Sequence, residues 1–231
     1  MIKISIIIPA YNEEETIIQL LKKVAEQSVE GFELEVLVID DGSKDSTLEL
    51  LAANPSLYSK VIKQPQNGGK GAAVKAGLAA ATGEYILFQD ADLEYDPAEY
   101  AKLFHPIIEH NADVVMGSRF SAPSVTRVSY FWNKVGNRGI TLIFNILNNT
   151  TFSDTYSCYL MYRRSMINPN DLKTTGWEQH AEILSKAVKV AKSMYEVPIS
   201  YHGRTMEEGK KIRAHHIIAV VWTMIYQRFS H

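Results

Sequence analysis

The chain has 231 residues, of which 46% are hydrophobic and 22% charged, and its formal net charge is -2. This composition is typical of a globular protein and excludes a disordered or fibrous one. The charge balance gives no sign of nucleic acid as a partner. The single cysteine, Cys158, excludes an internal disulfide framework and cannot form a thiolate metal site alone, which fits a reducing compartment.

Neither end of the sequence has the pattern of a targeting segment or of a membrane span. The apolar run near the N-terminus is too short for a signal peptide. The longest apolar stretch near the C-terminus, residues 217–226, falls well below the roughly 20 residues that a membrane span needs. We therefore expect a cytoplasmic protein that is either soluble or bound to the cytoplasmic face of a membrane.

The first half of the chain alternates short apolar runs with helical patterns. The runs predict strands at residues 4–8, 35–39, 60–63, 85–88 and 114–116. The periodicity between them predicts helices at 13–27, 45–53, 71–81 and 97–109. This alternation predicts βαβ units and a parallel, doubly wound sheet. Ligands of such sheets bind at the carboxyl ends of the strands, where the polar motifs of this half lie.

The second half is less regular. It predicts helices at 128–147, 179–191 and 214–229, and strands at 158–162 and 196–201. The sequence has no internal repeat and no linker rich in proline, glycine or serine, which favours one compact domain. We assign Cys158 to packing, because the sequence gives no histidine pairing for it.

An acidic motif follows the strand predicted at 85–88. Asp90 and Asp92 are spaced i, i+2 and can share one hard cation, with Glu94 near enough in sequence to be a third ligand. Mg²⁺ and Mn²⁺ favour such oxygen ligands. The alternative is a polar turn that caps the next helix through Asp96. Asp96 can form that cap alone, which leaves the other three acids unexplained.

Two other polar segments of the first half also follow strands. In 39–43, Asp41 can accept hydrogen bonds from a ribose or a base, although Ser43 or Asp45 can instead cap the next helix. In 67–73, a glycine-rich turn with Lys70 opens a helix, and its backbone N–H groups and lysine suit a phosphate. A flexible turn without a ligand is the alternative for this segment.

Basic residues recur in the second half: Arg119, Arg127, Arg138, Arg204, Lys210 and Lys211. Most arginines are solvated surface charges. Arg204 differs from the others because it follows the strand predicted at 196–201 and precedes Gly209-Lys210-Lys211. Such an arrangement can form a mobile basic flap over a diphosphate.

In order and spacing, these motifs resemble family 2 glycosyltransferases of the GT-A fold, in the dolichyl-phosphate mannosyltransferase-like branch. The resemblance rests on segments 6–13, 38–43, 69–72, 90–93, 117–120, 154–155 and 196–199, together with Arg204. It implies a GT-A (Rossmann-like) α/β fold with a mostly parallel sheet, in one domain over 1–231. Within it we expect a nucleotide-sugar-binding half (1–120), an acceptor-side half (121–212) and a C-terminal amphipathic helix (213–231).

The resemblance also implies roles for individual residues. It implies a nucleotide pocket lined by Pro9, Tyr11, Glu13, Ile39 and Asp41. Asp90 and Asp92 would ligate Mg²⁺ or Mn²⁺ with Glu94 as a further ligand, and the Ala91 backbone would lie near the ribose or diphosphate. Arg119, Arg204 and Lys210 would hold the donor diphosphate or the acceptor phosphate, with Lys70 as a further substrate-binding cation.

The implied reaction is the inverting transfer of a mannose- or glucose-type sugar from a GDP- or UDP-sugar to a polyprenyl or dolichyl phosphate. Asp92, Arg204 and Asp154 are the catalytic candidates. An ionised phosphate acceptor needs no general base, whereas a hydroxyl acceptor would need one of Asp154, Glu178 or Glu182. A soluble glycan or glycolipid hydroxyl is the alternative acceptor, because Cys158-Tyr159-Leu160 lacks the basic side chain common in relatives. A non-catalytic nucleotide-binding protein is the second alternative.

The helix predicted at 214–229 has an apolar stripe formed by Ile217, Val220, Val221, Met224 and Ile225. Its edges carry Trp222, Tyr226 and Arg228, a combination typical of interfacial helices. We expect it to meet a membrane surface. The alternative is that the stripe packs on the domain's own core or on a second subunit, in a homodimer.

Overall fold

The computed structural model describes residues 1–121, 131–203 and 216–230. Its strands are β1 (Ile2–Ala10), β2 (Phe32–Asp40), β3 (Lys60–Lys63), β4 (Tyr85–Phe88), β5 (Val114–Ser118), β6 (Leu160–Arg163) and β7 (Met194–Pro198). Its helices are α1 (Ile17–Ala25), α2 (Thr47–Ala53), α3 (Lys70–Ala80), α4 (Tyr100–His110), α5 (Phe131–Asn148), α6 (Gln179–Val190) and α7 (His216–Phe229).

The strands form one sheet in the order β3-β2-β1-β4-β6-β5-β7. All neighbouring strands run parallel except β6, which is antiparallel to both β4 and β5. The mostly parallel α/β sheet predicted from the sequence is confirmed. Because β6 is reversed, the segment that leads into it lies at the same sheet edge as the carboxyl ends of the parallel strands.

The centre of the sheet is apolar on both faces, as expected where helices cover a parallel sheet on both sides. Ile6, Ile7 and Ile8 of β1 have no exposed surface. At Gly77 of α3, an added Cβ would lie 2.7 Å from Ile7 and 2.8 Å from Ile39, so the glycine allows the helix to approach the sheet. Ile39 is therefore a core residue beneath α3, and its expected place in the nucleotide pocket is wrong.

Several predicted boundaries differ from the structure. The first helix begins at Ile17 and not at Glu13, because the Glu13 amide donates to the Thr47 hydroxyl (2.9 Å) and holds this turn against the next loop. The strand expected at 196–201 is Met194–Pro198, paired in parallel with β5. Residues 128–130 and 214–215 of the predicted helices lie outside the described residues, as do 213 and 231 of the expected C-terminal segment.

Helix α7 packs against α5 and α6. Val220 and Met224, from the stripe expected to meet a membrane, are buried there, so part of that stripe belongs to the core. Another face of the helix is exposed and apolar, with Ile218 at 75%, Trp222 at 68% and Phe229 at 74% exposure. Within the described residues, none of the helices combines the length and apolar character that crossing a membrane requires.

Candidate active site

A cavity of about 610 Å³ opens at the carboxyl edge of the sheet. It brings together residues that lie far apart in the sequence. The predicted site residues that line it are Pro9, Tyr11, Glu13, Asp41, Lys70, Asp90, Ala91, Asp92, Glu94 and Arg119. Of the other described candidates, Ile39 and Asp154 are buried beside the cavity without lining it. Arg204 and Lys210 lie outside the described residues.

The turn after β1 is fixed by the turn after β2. Asn12 adopts a left-handed backbone conformation (φ 53°). Its amide donates to the Ser43 hydroxyl (3.0 Å), and its side-chain oxygen accepts from the Lys44 amide (2.9 Å). The Glu13 carboxylate accepts from the Thr16 hydroxyl (2.9 Å). These bonds hold the Tyr11 and Glu13 wall of the cavity in place.

Asp41 binds the glycine-rich turn. Its two carboxylate oxygens accept from the amides of Gly68 (3.0 Å) and Gly69 (2.9 Å). Burial raises the pKa of Asp41, and these two hydrogen bonds lower it, with a net shift above the usual range. The expectation that the turn amides bind a phosphate is therefore wrong for these two, because a side chain of the protein already occupies them.

Lys70 follows that turn and points to the acidic motif. Its ammonium group forms an ion pair with Asp90 and lies 5.1 Å from the centre of the Trp177 ring. Burial lowers the pKa of Lys70, but Asp90, Cys158 and Asp92 together raise it above its ordinary value, so the group is a cation at neutral pH. The predicted phosphate-binding lysine is thus paired inside the protein in this structure.

The acidic loop is held from below by a buried glutamine. The Gln89 side-chain amide donates to the carbonyl oxygens of Asp90 (3.0 Å) and Tyr95 (3.3 Å). Leu93 adopts φ 62°, a conformation uncommon for a residue other than glycine. As predicted, Asp96 caps the turn that follows, accepting from the Ala98 amide (3.2 Å). The other three acids of the loop are not needed for that cap.

Two further contacts within the acidic loop constrain a metal site. Asp92 accepts from the Glu94 amide (3.2 Å), and Glu94 accepts from the Tyr201 hydroxyl (2.8 Å). In the part of the chain that the structure describes, no three histidine, cysteine, aspartate or glutamate side chains are grouped so that they could hold a metal ion. A preformed site made by Asp90, Asp92 and Glu94 together is therefore not present there.

Asp154 is fully buried and binds Arg119 through both carboxylate oxygens. The Arg119 Nε and Nη2 atoms lie 2.7 and 2.9 Å from them, and the Arg119 amide donates as well (3.1 Å). Glu196 of β7 accepts from the amides of Ser153 and Asp154, which fixes this loop. Asp154 thus positions Arg119 and does not reach the cavity, so its expected role as a catalytic group is not supported by its placement.

The other acids considered as bases are also engaged. Glu182 has no exposed surface and accepts from the Lys173 and Thr174 amides (3.1 and 2.9 Å) and from the Thr174 hydroxyl. Glu178 accepts from the Gly176 amide (3.2 Å). Neither is among the described residues that line the cavity. The geometry therefore offers no base among these three acids.

Several cavity residues were not identified from the sequence: Tyr156, Trp177, His180 and Tyr201. The Tyr156 hydroxyl donates to the Trp177 carbonyl (2.6 Å), which joins two segments of the wall. Burial lowers the pKa of His180 to about 4, with a further lowering by Lys70, so its ring is neutral at pH 7. In the sequence, the one indication that residues 176–180 could belong to the site was their position at the start of the helix predicted at 179–191.

Three helices supply another part of the cavity lining, which mixes apolar side chains with polar ones such as Asn133 and Asn137. The apolar side chains come from α5, α6 and α7, through Trp132, Ile140, Ile183, Ile217 and Val220. Trp132 is 77% exposed, and the same helix exposes Phe131, Leu142 and Ile146. The cavity that contains the acidic loop is therefore also lined by α5, the helix that carries these exposed apolar side chains.

Solved structures of two other proteins share this fold. Glucosyl-3-phosphoglycerate synthase from Mycobacterium tuberculosis, in complex with Mn²⁺, UDP and phosphoglyceric acid, aligns with a TM-score of 0.74 at 20% identity, over 99% of this chain and 79% of that one. S. aureus TarS in complex with UDP aligns with a TM-score of 0.65 at 23% identity, over 99% and 72%. The architecture is that of GT-A glycosyltransferases.

The sequence profile described as "Glycosyl transferase family 2" matches residues 5–169, and the chain belongs to this family. A dolichol-phosphate mannosyltransferase of Pyrococcus furiosus is 30% identical over 211 residues, which are 90% of this chain and 59% of that protein. The low-salt glycan biosynthesis hexosyltransferase Agl6 of Haloferax volcanii is 29% identical, over 88% and 49%. The chain thus spans about half to three fifths of these two relatives.

A third relative is comparable in length. The UDP-N-acetylglucosamine--dolichyl-phosphate N-acetylglucosaminyltransferase of Methanococcus voltae is 29% identical over 230 residues, with 90% of each chain covered. The named relatives differ in the sugar that they transfer. The resemblance inferred from the motifs is confirmed at the level of the family and of the mannosyltransferase-like branch.

Proposed function

We propose that this chain transfers a sugar, with inversion, from a GDP- or UDP-sugar to a polyprenyl or dolichyl phosphate, with Mg²⁺ or Mn²⁺ as the cofactor. The observation that carries the proposal is the mixed lining of the cavity. The lining includes the acidic loop and two cations, and it also includes apolar residues of three helices. A sugar donor is polar and a prenyl phosphate is amphipathic, so both substrates find matching side chains there.

The donor set of the acidic loop fits a hard divalent cation. Asp90 and Asp92 offer carboxylate oxygens at the cavity surface. Mg²⁺ is commonly bound by one or two carboxylates together with substrate phosphates, which agrees with the lack of a closed three-ligand group in the described residues. When bound, the cation would stabilise the negative charge that develops on the leaving diphosphate.

The protein's own residues support a phosphate acceptor. A phosphate monoester has a second pKa near 6, so it is largely ionised at pH 7 and attacks without a general base. This agrees with the burial of Asp154 and Glu182, which removes two candidate bases from the cavity. Arg119, held rigidly by Asp154, places a fixed positive charge at the cavity wall, where it favours phosphate groups.

The exposed apolar residues beside the cavity support contact with a membrane surface. Helix α5 exposes Phe131, Val135, Leu142 and Ile146 along one stripe, and α7 exposes Ile218, Trp222 and Phe229. Aromatic and aliphatic side chains in this arrangement are typical of helices that lie in a bilayer interface. A lipid-linked acceptor would then enter the cavity from the bilayer between these helices.

The reaction is tested by incubating the chain with a short-chain prenyl phosphate, Mn²⁺ and a panel of labelled GDP- and UDP-sugars. We expect a lipid-extractable, sugar-labelled product with one donor. The Asp92→Asn variant should reduce its formation at least 100-fold, because the carboxylate acts on the developing charge. Transfer only to a soluble hydroxyl acceptor would contradict the acceptor assignment, and metal-independent binding of nucleotide without turnover would contradict the enzyme assignment.

Flotation with anionic liposomes tests the membrane contact. We expect the full chain to float with the vesicles. The doubly substituted Trp222→Ser, Phe229→Ser variant should stay in the soluble fraction, because it removes two exposed aromatic groups. The matched control replaces Ile108, which is exposed on α4 and lies outside both stripes. Equal flotation of all three proteins, or of none, would contradict the proposed contact. Dimerisation of the wild type that the double substitution abolishes would assign these residues to a homodimer.

A further inference from the structure

We propose that Lys70 is a built-in counter-ion for Asp90, which weakens the binding of a divalent cation until a nucleoside diphosphate draws the lysine away. The inference rests on the proposed function, since it assumes that metal and nucleotide share this cavity. It concerns how the two bind together, and not which sugar is transferred. If Lys70 acts in this way, the metal ion binds well only when the nucleotide of the sugar donor is also bound.

The backbone at Lys70 is fixed on both sides. Asp41 binds the amide of Gly69, and the Gly71 amide donates to the Thr175 carbonyl (2.8 Å). The Gln179 side chain donates to the Gly71 carbonyl (2.7 Å). A Cβ at Gly71 would lie 2.5 Å from the Thr175 carbonyl carbon, so the two segments are in direct contact. Only the side chain of Lys70 is therefore able to change partner.

The side chains of this ion pair can separate at modest cost. Lys70 and Asp90 are 29% and 21% exposed, and both line the cavity. When this pair separates, each charged group remains in contact with solvent or ligand. In a fully buried pair, separation would leave a charge without solvent or a partner. The lysine has three donors on a flexible stem, and its contact with the Trp177 ring imposes no fixed hydrogen-bond geometry.

The ammonium group and a metal ion compete for the same carboxylate. A cation on Asp90 occupies its lone pairs and repels a second cation brought to Asp92 or Glu94. A diphosphate in the cavity supplies several anionic oxygens as alternative partners for Lys70. Its arrival would therefore release Asp90, and the metal and the nucleotide would each strengthen the binding of the other, as linkage requires.

The test measures Mn²⁺ binding by titration calorimetry, with and without saturating UDP or GDP. For the wild type, we expect nucleotide to tighten Mn²⁺ binding about tenfold or more. In Lys70→Gln, Mn²⁺ should bind the nucleotide-free protein about fivefold more tightly than in the wild type, and the tightening by nucleotide should shrink. Lys70→Arg keeps the charge and should behave like the wild type in the absence of nucleotide.

The matched control is Lys75→Gln. Lys75 lies on the same helix, donates to the Leu172 carbonyl (3.0 Å), and is not among the described residues that line the cavity. It should leave every binding constant unchanged. Nucleotide-free Mn²⁺ binding that is equal or weaker in Lys70→Gln would overturn the counter-ion role while leaving the proposed function intact. Failure of the wild type to bind any nucleotide would overturn both.

Discussion

Two ion pairs flank the cavity and differ in almost every physical respect. Lys70 contacts Asp90 through one ammonium group, and both side chains are partly exposed, at 29% and 21%. Arg119 donates to Asp154 through two side-chain nitrogens and through its own backbone amide. The Arg119 and Asp154 side chains are 11% and 0% exposed. Glu196, which lies on β7, accepts from the Asp154 amide and so fixes the loop that contains Asp154.

This difference distinguishes an ion pair that stabilises the fold, Arg119–Asp154, from one whose lysine can exchange its carboxylate partner for a ligand, Lys70–Asp90. A guanidinium offers a planar fork that matches a carboxylate, whereas an ammonium is a point charge on a flexible stem. The Arg119 pair is therefore a permanent part of the wall that presents a positive surface to the cavity. The Lys70 pair can open when a ligand offers better partners. The following experiments test that distinction.

The largest effect is expected when Asp154 is replaced by alanine. The change leaves the Arg119 guanidinium buried without its partner, so the free energy of unfolding should fall by about 3–5 kcal/mol. Denaturant unfolding measures it. The control, Glu84→Ala, removes the more exposed partner of Arg163 and should cost less than about 1 kcal/mol. A loss below 1 kcal/mol in Asp154→Ala would show that the pair is not structural.

Glu35, a buried carboxylate outside the cavity, extends the comparison. Burial raises the pKa of Glu35, but hydrogen bonds from Ser5 and Thr82 lower it by more, to about 2. Its stabilising contribution is therefore complete above about pH 4.5, the ordinary value, and is lost as the pH falls towards 2. We expect the wild type to lose about 3 kcal/mol relative to Glu35→Gln between pH 5 and 2.

Urea unfolding over this pH range measures the Glu35 effect. The control is Glu33→Gln, an exposed position on the same strand, whose stability should follow the wild type at every pH. A constant difference between Glu35→Gln and the wild type would mean that the carboxylate is not the titrating group.

Asp90→Asn should separate stability from ligand binding. Because Lys70 remains partly exposed when unpaired, the free energy of unfolding should change by less than about 1 kcal/mol. Mn²⁺-dependent nucleotide binding should weaken at least about tenfold, because the amide is a poorer ligand for a hard cation. Calorimetry and denaturant unfolding on the same protein measure both. A large loss of stability would place this pair in the same class as Arg119–Asp154.

The smallest effect concerns the ring of His180. Burial lowers its pKa to about 4, and the positive charge of Lys70 lowers it further. In Lys70→Gln the pKa of His180 should rise while staying below its ordinary value of 6.5, because burial remains. Titration of the ring by nuclear magnetic resonance measures it. An unchanged pKa would indicate that the Lys70 charge lies elsewhere in solution.

The sequence predicted the half of the site that depends on strand ends. The apolar run 85–88 fixes where Asp90 and Asp92 emerge, and parallel strands bring Asp41 to the same edge. The family resemblance implied a place for Ile39 in the nucleotide pocket. Strand side chains alternate between the two faces of a sheet, however, and the side chain of Ile39 faces Gly77 of α3. Only the observed register decides which face a strand residue occupies.

The other half of the site depends on contacts that a single sequence does not encode locally. Tyr156 and Trp177 belong to segments without helical or strand periodicity, and they meet through one hydrogen bond across 21 positions of sequence. Strand β6 pairs antiparallel with β4 and β5 after a long connection through α5, and no short sequence pattern reveals that direction. The burial of Asp154 follows from Arg119 and Glu196, residues 35 and 42 positions away.

The reversal of β6 also predicts how substitutions on the two sides of the cavity combine. Strand β1 leads to Pro9 and Tyr11, the segment before β6 contains Tyr156 and Cys158, and β4 lies between the two strands. Strands are spaced about 4.8 Å apart, so these walls are separated by about 10 Å of hydrogen-bonded sheet. Effects on stability at this separation are usually additive. One wall can therefore vary in sequence while the other is kept, which lets selection or design tune the two binding surfaces independently.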